Sequence, residues 1–145
     1  MYKHILIATD GSDLAEKAVA GGLALAKAIG AKATVLTVTE PFHTLSFVPS
    51  QVMYTPETYS AHAKEFAHRI LEIVRARAEA AGVNCETVWL EHEHPYEAII
   101  DAAKGRECDL IVLASHGRSG ISAVVLGSQA VKVLTHSVLL VLIYR

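Results

Sequence analysis

The sequence predicts a single soluble α/β domain built on an open, mainly parallel sheet with helices on both faces. Apolar runs of strand length alternate with segments of helical periodicity along the whole chain. The strand segments are almost continuously apolar, which is typical of strands buried on both faces. Such alternation implies right-handed crossovers between parallel strands. The 145 residues fit one domain spanning residues 1–145.

Five strands and four helices follow from this pattern. The predicted strands are residues 4–9, 33–38, 85–90, 109–114 and 138–143. The predicted helices are residues 13–29, 56–81, 95–105 and about 128–135. Ser12 is the expected N-cap of the first helix, and Pro56 opens the second. Gly30 and Gly82 are placed to end these two helices.

Composition and charge argue against several classes of protein. The formal net charge is −2 and no long basic run is present, so we expect no nucleic-acid partner. The longest apolar runs are much shorter than the roughly 20 residues of a membrane-spanning helix, so we expect no membrane partner. The N-terminal segment is a predicted strand and lacks a signal-peptide core, which favours a cytoplasmic protein.

Cysteine and histidine spacing indicates no metal site. Cys85 and Cys108 belong to no metal-binding spacing, so both are expected to be reduced and structural. His92 and His94 are two possible ligands, but no third lies nearby in sequence. We therefore predict a solvated loop there.

The most informative stretch is ASHGRSGISAVVLGS, residues 114–128, which we call the glycine segment. Gly117 and Gly127 lack a β-carbon, so phosphates could approach the backbone closely. Gly127 and Ser128 stand where a helix begins, and the exposed amides and helix dipole there favour an anion. Ser128 could cap that helix or donate its hydroxyl to phosphate. Arg118 and His116 could add charge or hydrogen bonds.

The alternative interpretation is a loop whose glycines only make turns. We favour a binding role because two glycines with nine residues between them follow one buried strand and open the next helix. In an open parallel sheet, ligands bind outside the carboxyl ends of the strands where strand order reverses. The first strand also ends in a suggestive turn, which contains Asp10.

The glycine segment resembles the nucleotide-binding branch of the universal stress protein family. That branch is marked by Gly-x-x-Gly, nine residues, and then Gly-Ser or Gly-Thr. Gly117, residues 118–126 and the pair Gly127-Ser128 match, whereas Ala114 replaces the first glycine. Because Ala114 ends a predicted strand, where φ is normally negative, alanine should serve there. The similarity also covers the start ILIATDGSD and the strand–helix order, and so nearly the whole chain.

The resemblance implies a Rossmann-like sheet in the order 3-2-1-4-5, similar to the adenine nucleotide alpha hydrolases. It implies ATP or AMP as the ligand, with a magnesium ion as an open possibility. Asp10 would contact the ribose or base, Val38 would line the adenine pocket, and Ala8, Thr9 and Leu113 would shape it. The implied binding residues are Ala8, Thr9, Asp10, Val38, Leu113, Ala114, His116, Gly117, Arg118, Gly127, Ser128 and Gln129.

Three functional classes remain open. The leading hypothesis is a nucleotide-dependent stress-response or signalling protein that acts through its shape and partners, and Gly117 with Gly127-Ser128 favours it. A nucleotide-free dimeric interaction protein is the second hypothesis, and Ala114 favours it. No nucleophile with its base can be identified, so we expect no enzyme, although slow ATP hydrolysis stays open as the third.

The last strand predicts a homodimer. Six apolar residues run from Val138 to Ile143, and the implied strand order puts them at the edge of the sheet. An apolar edge with unpaired backbone groups invites association, and the simplest cover is the same strand of a second copy, paired antiparallel. The alternative is a monomer whose helices shield the edge.

Residues 40–55 form a long connection that is too apolar for a plain solvated loop. They could pack against the neighbouring helix. They could also form a flap near the nucleotide, because they leave the carboxyl end of the second strand. Both interpretations stay open at this point.

Overall fold

The computed structural model describes residues 1–43, 55–117 and 126–145. The five strands are β1 (His4–Ala8), β2 (Lys32–Thr39), β3 (Cys85–Glu91), β4 (Leu110–Ala114) and β5 (Leu140–Tyr144). They form one parallel sheet in the order β3-β2-β1-β4-β5, which confirms the predicted order. The helices are α1 (Asp13–Ile29), α2 (Pro56–Ala81), α3 (Pro95–Gly105) and α4 (Ser128–His136).

Local capping chemistry accounts for the ends of the two longest helices. The Ser12 hydroxyl accepts a hydrogen bond from the Ala15 amide at 3.3 Å, so Ser12 is the N-cap of α1 as predicted. Thr55 caps α2 in the same way. Gly30 and Gly82 end the two helices in left-handed conformations, with φ of 69° and 70°. These conformations favour glycine because it has no β-carbon.

Strand β5 starts later than the sequence predicts. Its first residue is Leu140 rather than Val138, and the strand ends at Tyr144 rather than Ile143. The Ser137 hydroxyl accepts the Leu139 amide at 3.0 Å and keeps the preceding residues in a turn. Pairing with β4 begins only at Leu140, so Val138 has no β4 residue to pair with and is 84% exposed.

The core lies in two layers, one on each face of the sheet. Ile5 and Ile7 of β1 point into the layer covered by α1 and α2, whereas Leu6 points into the layer covered by α3 and α4. All three are completely buried. The central strands are therefore covered on both faces, and this explains their continuous apolar sequence. The edge strands β3 and β5 are only partly buried.

The two cysteines are far apart in this sheet. Cys85 lies on β3 and Cys108 lies two residues before β4, with β2 and β1 between those strands. At about 4.8 Å per strand, this separation exceeds the reach of a disulfide. Burial raises the pKa of the Cys108 thiol to about 11, and it also raises the pKa of Cys85. Both thiols are therefore protonated at neutral pH.

The connection after β2 is described only at its start. The Phe42 ring lies 5.5 Å from the Tyr59 ring of α2, and the Tyr59 hydroxyl donates to the Glu40 carbonyl at 3.0 Å. This start is therefore packed against α2. Residues 44–54, on which the choice between packing and a flap depends, lie outside the described residues. Within the described ranges, no helix has the length and apolar character needed to cross a membrane.

Candidate functional site

The candidate site lies at the carboxyl ends of β1 and β4, which are neighbours in the sheet. Strand order reverses between them, because β1 leads to β2 on one side and β4 leads to β5 on the other. Helix α1 then packs on one face of the sheet and α4 on the opposite face. Such a switch point opens a crevice between the two connections, where ligands bind in this class of fold.

The turn after β1 is held by its own side chains. Thr9 is 5% exposed, and its hydroxyl accepts the Gly11 amide at 3.2 Å. One carboxylate oxygen of Asp10, Oδ1, accepts the Ser12 amide at 3.0 Å. Gly11 has a φ of 78°, a left-handed conformation that favours glycine. Asp10 is thus fixed at the mouth of the crevice.

At Gly117, the segment that follows β4 packs against the turn that follows β1. A β-carbon at Gly117 would overlap the second carboxylate oxygen of Asp10, Oδ2. The Asp10 carboxylate lies in the space that a β-carbon at Gly117 would need. Glycine at this position therefore permits a close approach between the two connections.

Gly127, near the end of the glycine segment, packs against Ser115 and His116 near its start. Its amide donates to the Ser115 carbonyl at 2.5 Å. A β-carbon on Gly127 would lie 3.0 Å from that carbonyl oxygen and 3.1 Å from the His116 Cα. Its φ of −61° is open to any residue, so glycine is needed here for space and not for backbone conformation. The missing β-carbon again serves packing within the protein.

The N-terminus of α4 is open. Gly127 is the N-cap, and the described residues provide no side-chain cap. Ser128 is the first helical residue and is exposed, so its predicted capping role is wrong, while the predicted helix start is confirmed. The first turn holds no acidic residue. Among the described residues, the positive end of the helix dipole therefore meets no acidic side chain in the first turn, and no side chain caps the first-turn amides.

The other three helices that the structure describes are closed at this end. Ser12 and Thr55 cap α1 and α2, and each first turn contains an acid. In α3, the Tyr96 amide donates to the side-chain oxygen of Gln129 at 3.0 Å, and Glu97 lies in the first turn. Gln129, an expected nucleotide contact, thus uses its oxygen to cap a neighbouring helix.

The residues expected around the adenine lie at the same edge. Thr9 and Leu113 are buried, whereas Ala8 and Val38 are partly buried and pack beside the layer of α3 and α4. Ala114 ends β4 opposite Tyr144. Glu107 is the non-glycine residue with positive φ in the described ranges, so Ala114 has negative φ as expected.

Of the two remaining residues expected to add charge or hydrogen bonds, the structure describes His116. The His116 Nδ1 atom lies 3.2 Å from the Ser115 hydroxyl. Arg118 lies outside the described residues. Across the residues that the structure describes, no group of three or more histidine, cysteine, aspartate or glutamate side chains could hold a metal ion.

Sequence reasoning missed two residues that organise this site. The Ser115 amide donates to the Tyr144 carbonyl at 2.7 Å, and the Tyr144 ring lies against Gly21 of α1. Gly21, within a helix rich in alanine, was the available signal, because an internal helical glycine often marks a close approach. Ser115 had no comparable signal.

Comparison with known proteins identifies relatives over the whole chain. The universal stress protein family profile matches residues 1–145. A universal stress protein of Thermus aquaticus is 38% identical over 146 residues, with 100% of both chains covered. A crystal structure from the same family in Burkholderia pseudomallei has a TM-score of 0.78 at 27% identity, covering 98% of this chain and 95% of that one.

A further crystal structure shows a universal stress protein in complex with cAMP. It has a TM-score of 0.73 at 28% identity and covers 99% of this chain and 97% of that chain. The sheet order, the glycine segment and the full-length family match agree with one another. This chain belongs to the universal stress protein family.

Proposed function

We propose that this protein binds an adenine nucleotide, ATP or AMP, in the crevice between β1 and β4 and acts in the cytoplasm in a stress response or signalling. The observation that carries the proposal is the open N-terminus of α4, which begins at the switch point of the sheet. The cAMP complex of a related protein supports an adenine nucleotide as the ligand class.

The phosphates would lie at the first turn of α4. A phosphate there accepts hydrogen bonds from exposed backbone amides and interacts with the positive end of the helix dipole. The exposed Ser128 hydroxyl can donate as well. Each such contact contributes about 0.3–1 kcal/mol when exposed, so several must act together.

Asp10 would face the ribose and not a bare phosphate. Its carboxylate lies against Gly117, where it would repel a phosphate oxygen. A ribose hydroxyl can donate to the carboxylate, and Asp10 would be the residue to hold a magnesium ion, which would offset the negative charge of the phosphates. Magnesium is commonly held by one or two carboxylates together with substrate phosphates. The adenine would then lie near Val38 and Ala8, over Thr9 and Leu113.

Two measurements test this proposal. Mass spectrometry should detect an adenine nucleotide released from the freshly purified protein. Calorimetry should then show ATP and AMP binding to the emptied protein at one site per chain. If neither nucleotide binds at millimolar concentration, the nucleotide-free interaction protein becomes the better description. Release of phosphate from ATP over hours would instead support slow hydrolysis, in which Asp10 would orient the attacking water.

We also propose that the protein is a homodimer paired through β5. This strand lies at the edge of the sheet. Leu140 is 61% exposed and Leu142 38% exposed on one face of that edge. Val131 and Leu134 are exposed on α4, which covers the other face. Antiparallel pairing with the β5 strand of a second copy would cover the backbone edge and these side chains together.

Light scattering at micromolar concentration tests the dimer. Leu140→Lys should give a folded monomer, because a charge would then have to enter the interface. Val141→Lys is a poorer choice, since Val141 packs into the layer under α3 and α4 and its replacement would disturb the fold. Lys132→Ala on α4 is the control and should leave the dimer intact. A monomer mass for the unmodified protein contradicts the proposal.

A further inference from the structure

Tyr144, the last residue of β5, lies directly against the backbone of α1. A β-carbon at Gly21 would overlap the Tyr144 hydroxyl and two ring carbons, so a larger residue at position 21 leaves no room for the ring. Tyr144 is half-buried and packs beside the layer of α1 and α2. Aromatic rings contribute large contact areas, so this contact anchors the end of an edge strand.

Backbone hydrogen bonds link Tyr144 to the candidate site. Its carbonyl accepts the Ser115 amide at 2.7 Å, and the Ser115 carbonyl accepts the Gly127 amide at 2.5 Å. Ser115 is 5% exposed, so a broken bond would leave a buried polar group without a partner. Three residues distant in sequence thus form one hydrogen-bonded chain from the edge strand to the N-cap of α4.

We infer that Tyr144 is a positioning residue for phosphate: acting through Ser115, it holds Gly127, the N-cap of α4, in place. The inference rests on the proposed nucleotide binding. Tyr144 does not itself touch the phosphates. Tyr144 pairs with Ala114 at the end of β4, and its ring contact with Gly21 fixes the end of β5 against α1. Loss of that contact would release Ser115, and a small displacement of binding groups costs much affinity.

Gly21→Ala tests the inference because its new methyl group forces the Tyr144 ring away. We expect the Kd for ATP and for AMP to rise roughly tenfold or more. The Kd for adenosine should stay unchanged, because adenosine has no phosphate to be held by the displaced backbone. Tyr144→Ala should act like Gly21→Ala, whereas Tyr144→Phe keeps the ring and should bind as the unmodified protein does. Ala20→Gly weakens the same helix from an exposed position and should change neither Kd.

The double variant of Gly21→Ala with Tyr144→Ala removes the overlap. It should bind ATP as Tyr144→Ala alone does. Hydrogen exchange at the Ser115 amide should be faster in Gly21→Ala, in Tyr144→Ala and in the double variant than in the unmodified protein. Equal weakening of ATP and adenosine would overturn the inference by showing a general loss of structure. Unchanged ATP affinity with faster Ser115 exchange would overturn it too. If the unmodified protein binds no nucleotide, the proposed function itself fails.

Discussion

Helices α1 and α4 begin at the same edge of the sheet, on opposite faces, yet their N-termini are built differently. In α1 the Ser12 hydroxyl accepts the Ala15 amide, and Asp13 and Glu16 lie in the first turn. In α4 the N-cap is Gly127, no described side chain caps the helix, and the first turn contains no acid. Both helices follow neighbouring parallel strands, so the difference arises from their first few residues.

This difference separates local stability from ligand binding. Acids and a capping hydroxyl compensate the positive end of α1, which stabilises that helix and repels an anion. With no acid in its first turn and no cap from a described side chain, α4 is weaker on its own, and its first-turn amides can donate to a phosphate. The α1 side of the crevice is therefore not built to hold phosphate, whereas the α4 side can hold it.

The largest expected effect is at the junction that holds α4 in place. Gly127→Val should lower ATP affinity about a hundredfold or more, because its side chain would press on the Ser115 carbonyl and the His116 Cα and displace the helix start. Gly105→Val is the control, since nothing lies within 4 Å of its β-carbon position. Calorimetry on both variants makes the comparison. Equal ATP affinity in the two variants would show that phosphate binding does not depend on this junction.

An intermediate effect is expected when α4 is made to resemble α1. Ser128→Asp places an acid in the first turn and should stabilise the helix by about 0.5 kcal/mol without nucleotide. The same charge should weaken ATP binding about tenfold, and added salt should reduce that penalty. Urea unfolding and calorimetry at two salt concentrations measure the two effects. Ser128→Ala separates the charge from the loss of the hydroxyl. A more stable variant with unchanged ATP affinity would place the phosphates elsewhere.

The smallest effect on binding is expected when α1 loses its cap. Ser12→Ala should lower the free energy of unfolding by about 1 kcal/mol, because the Ala15 amide loses its partner. ATP affinity should stay within about twofold of the original value, since α1 does not hold phosphate in this proposal. Urea unfolding gives the first quantity and calorimetry the second. A clear loss of ATP affinity would break the distinction between the two helices.

Elements governed by local chemistry were predictable from the sequence. The helix bounds of α1, the cap by Ser12 and the stops at Gly30 and Gly82 depend on hydrogen bonds and backbone angles within a few residues. The sheet order needed the family resemblance as well as the strand–helix alternation. The start of β5 was missed by two residues because it depends on where β4 offers a partner, beginning with Leu110 opposite Leu140.

The sequence by itself determined the fold class, the buried strands and the helix that begins at Ser128, because periodicity, turns and caps are short-range properties of the chain. Only the tertiary structure decided how the site is assembled. It placed the Asp10 carboxylate against Gly117, used the Gln129 oxygen to cap α3 and joined Tyr144, Ser115 and Gly127 by backbone hydrogen bonds. These contacts form between residues far apart along the chain, and main-chain groups carry no sequence signal because every residue has them.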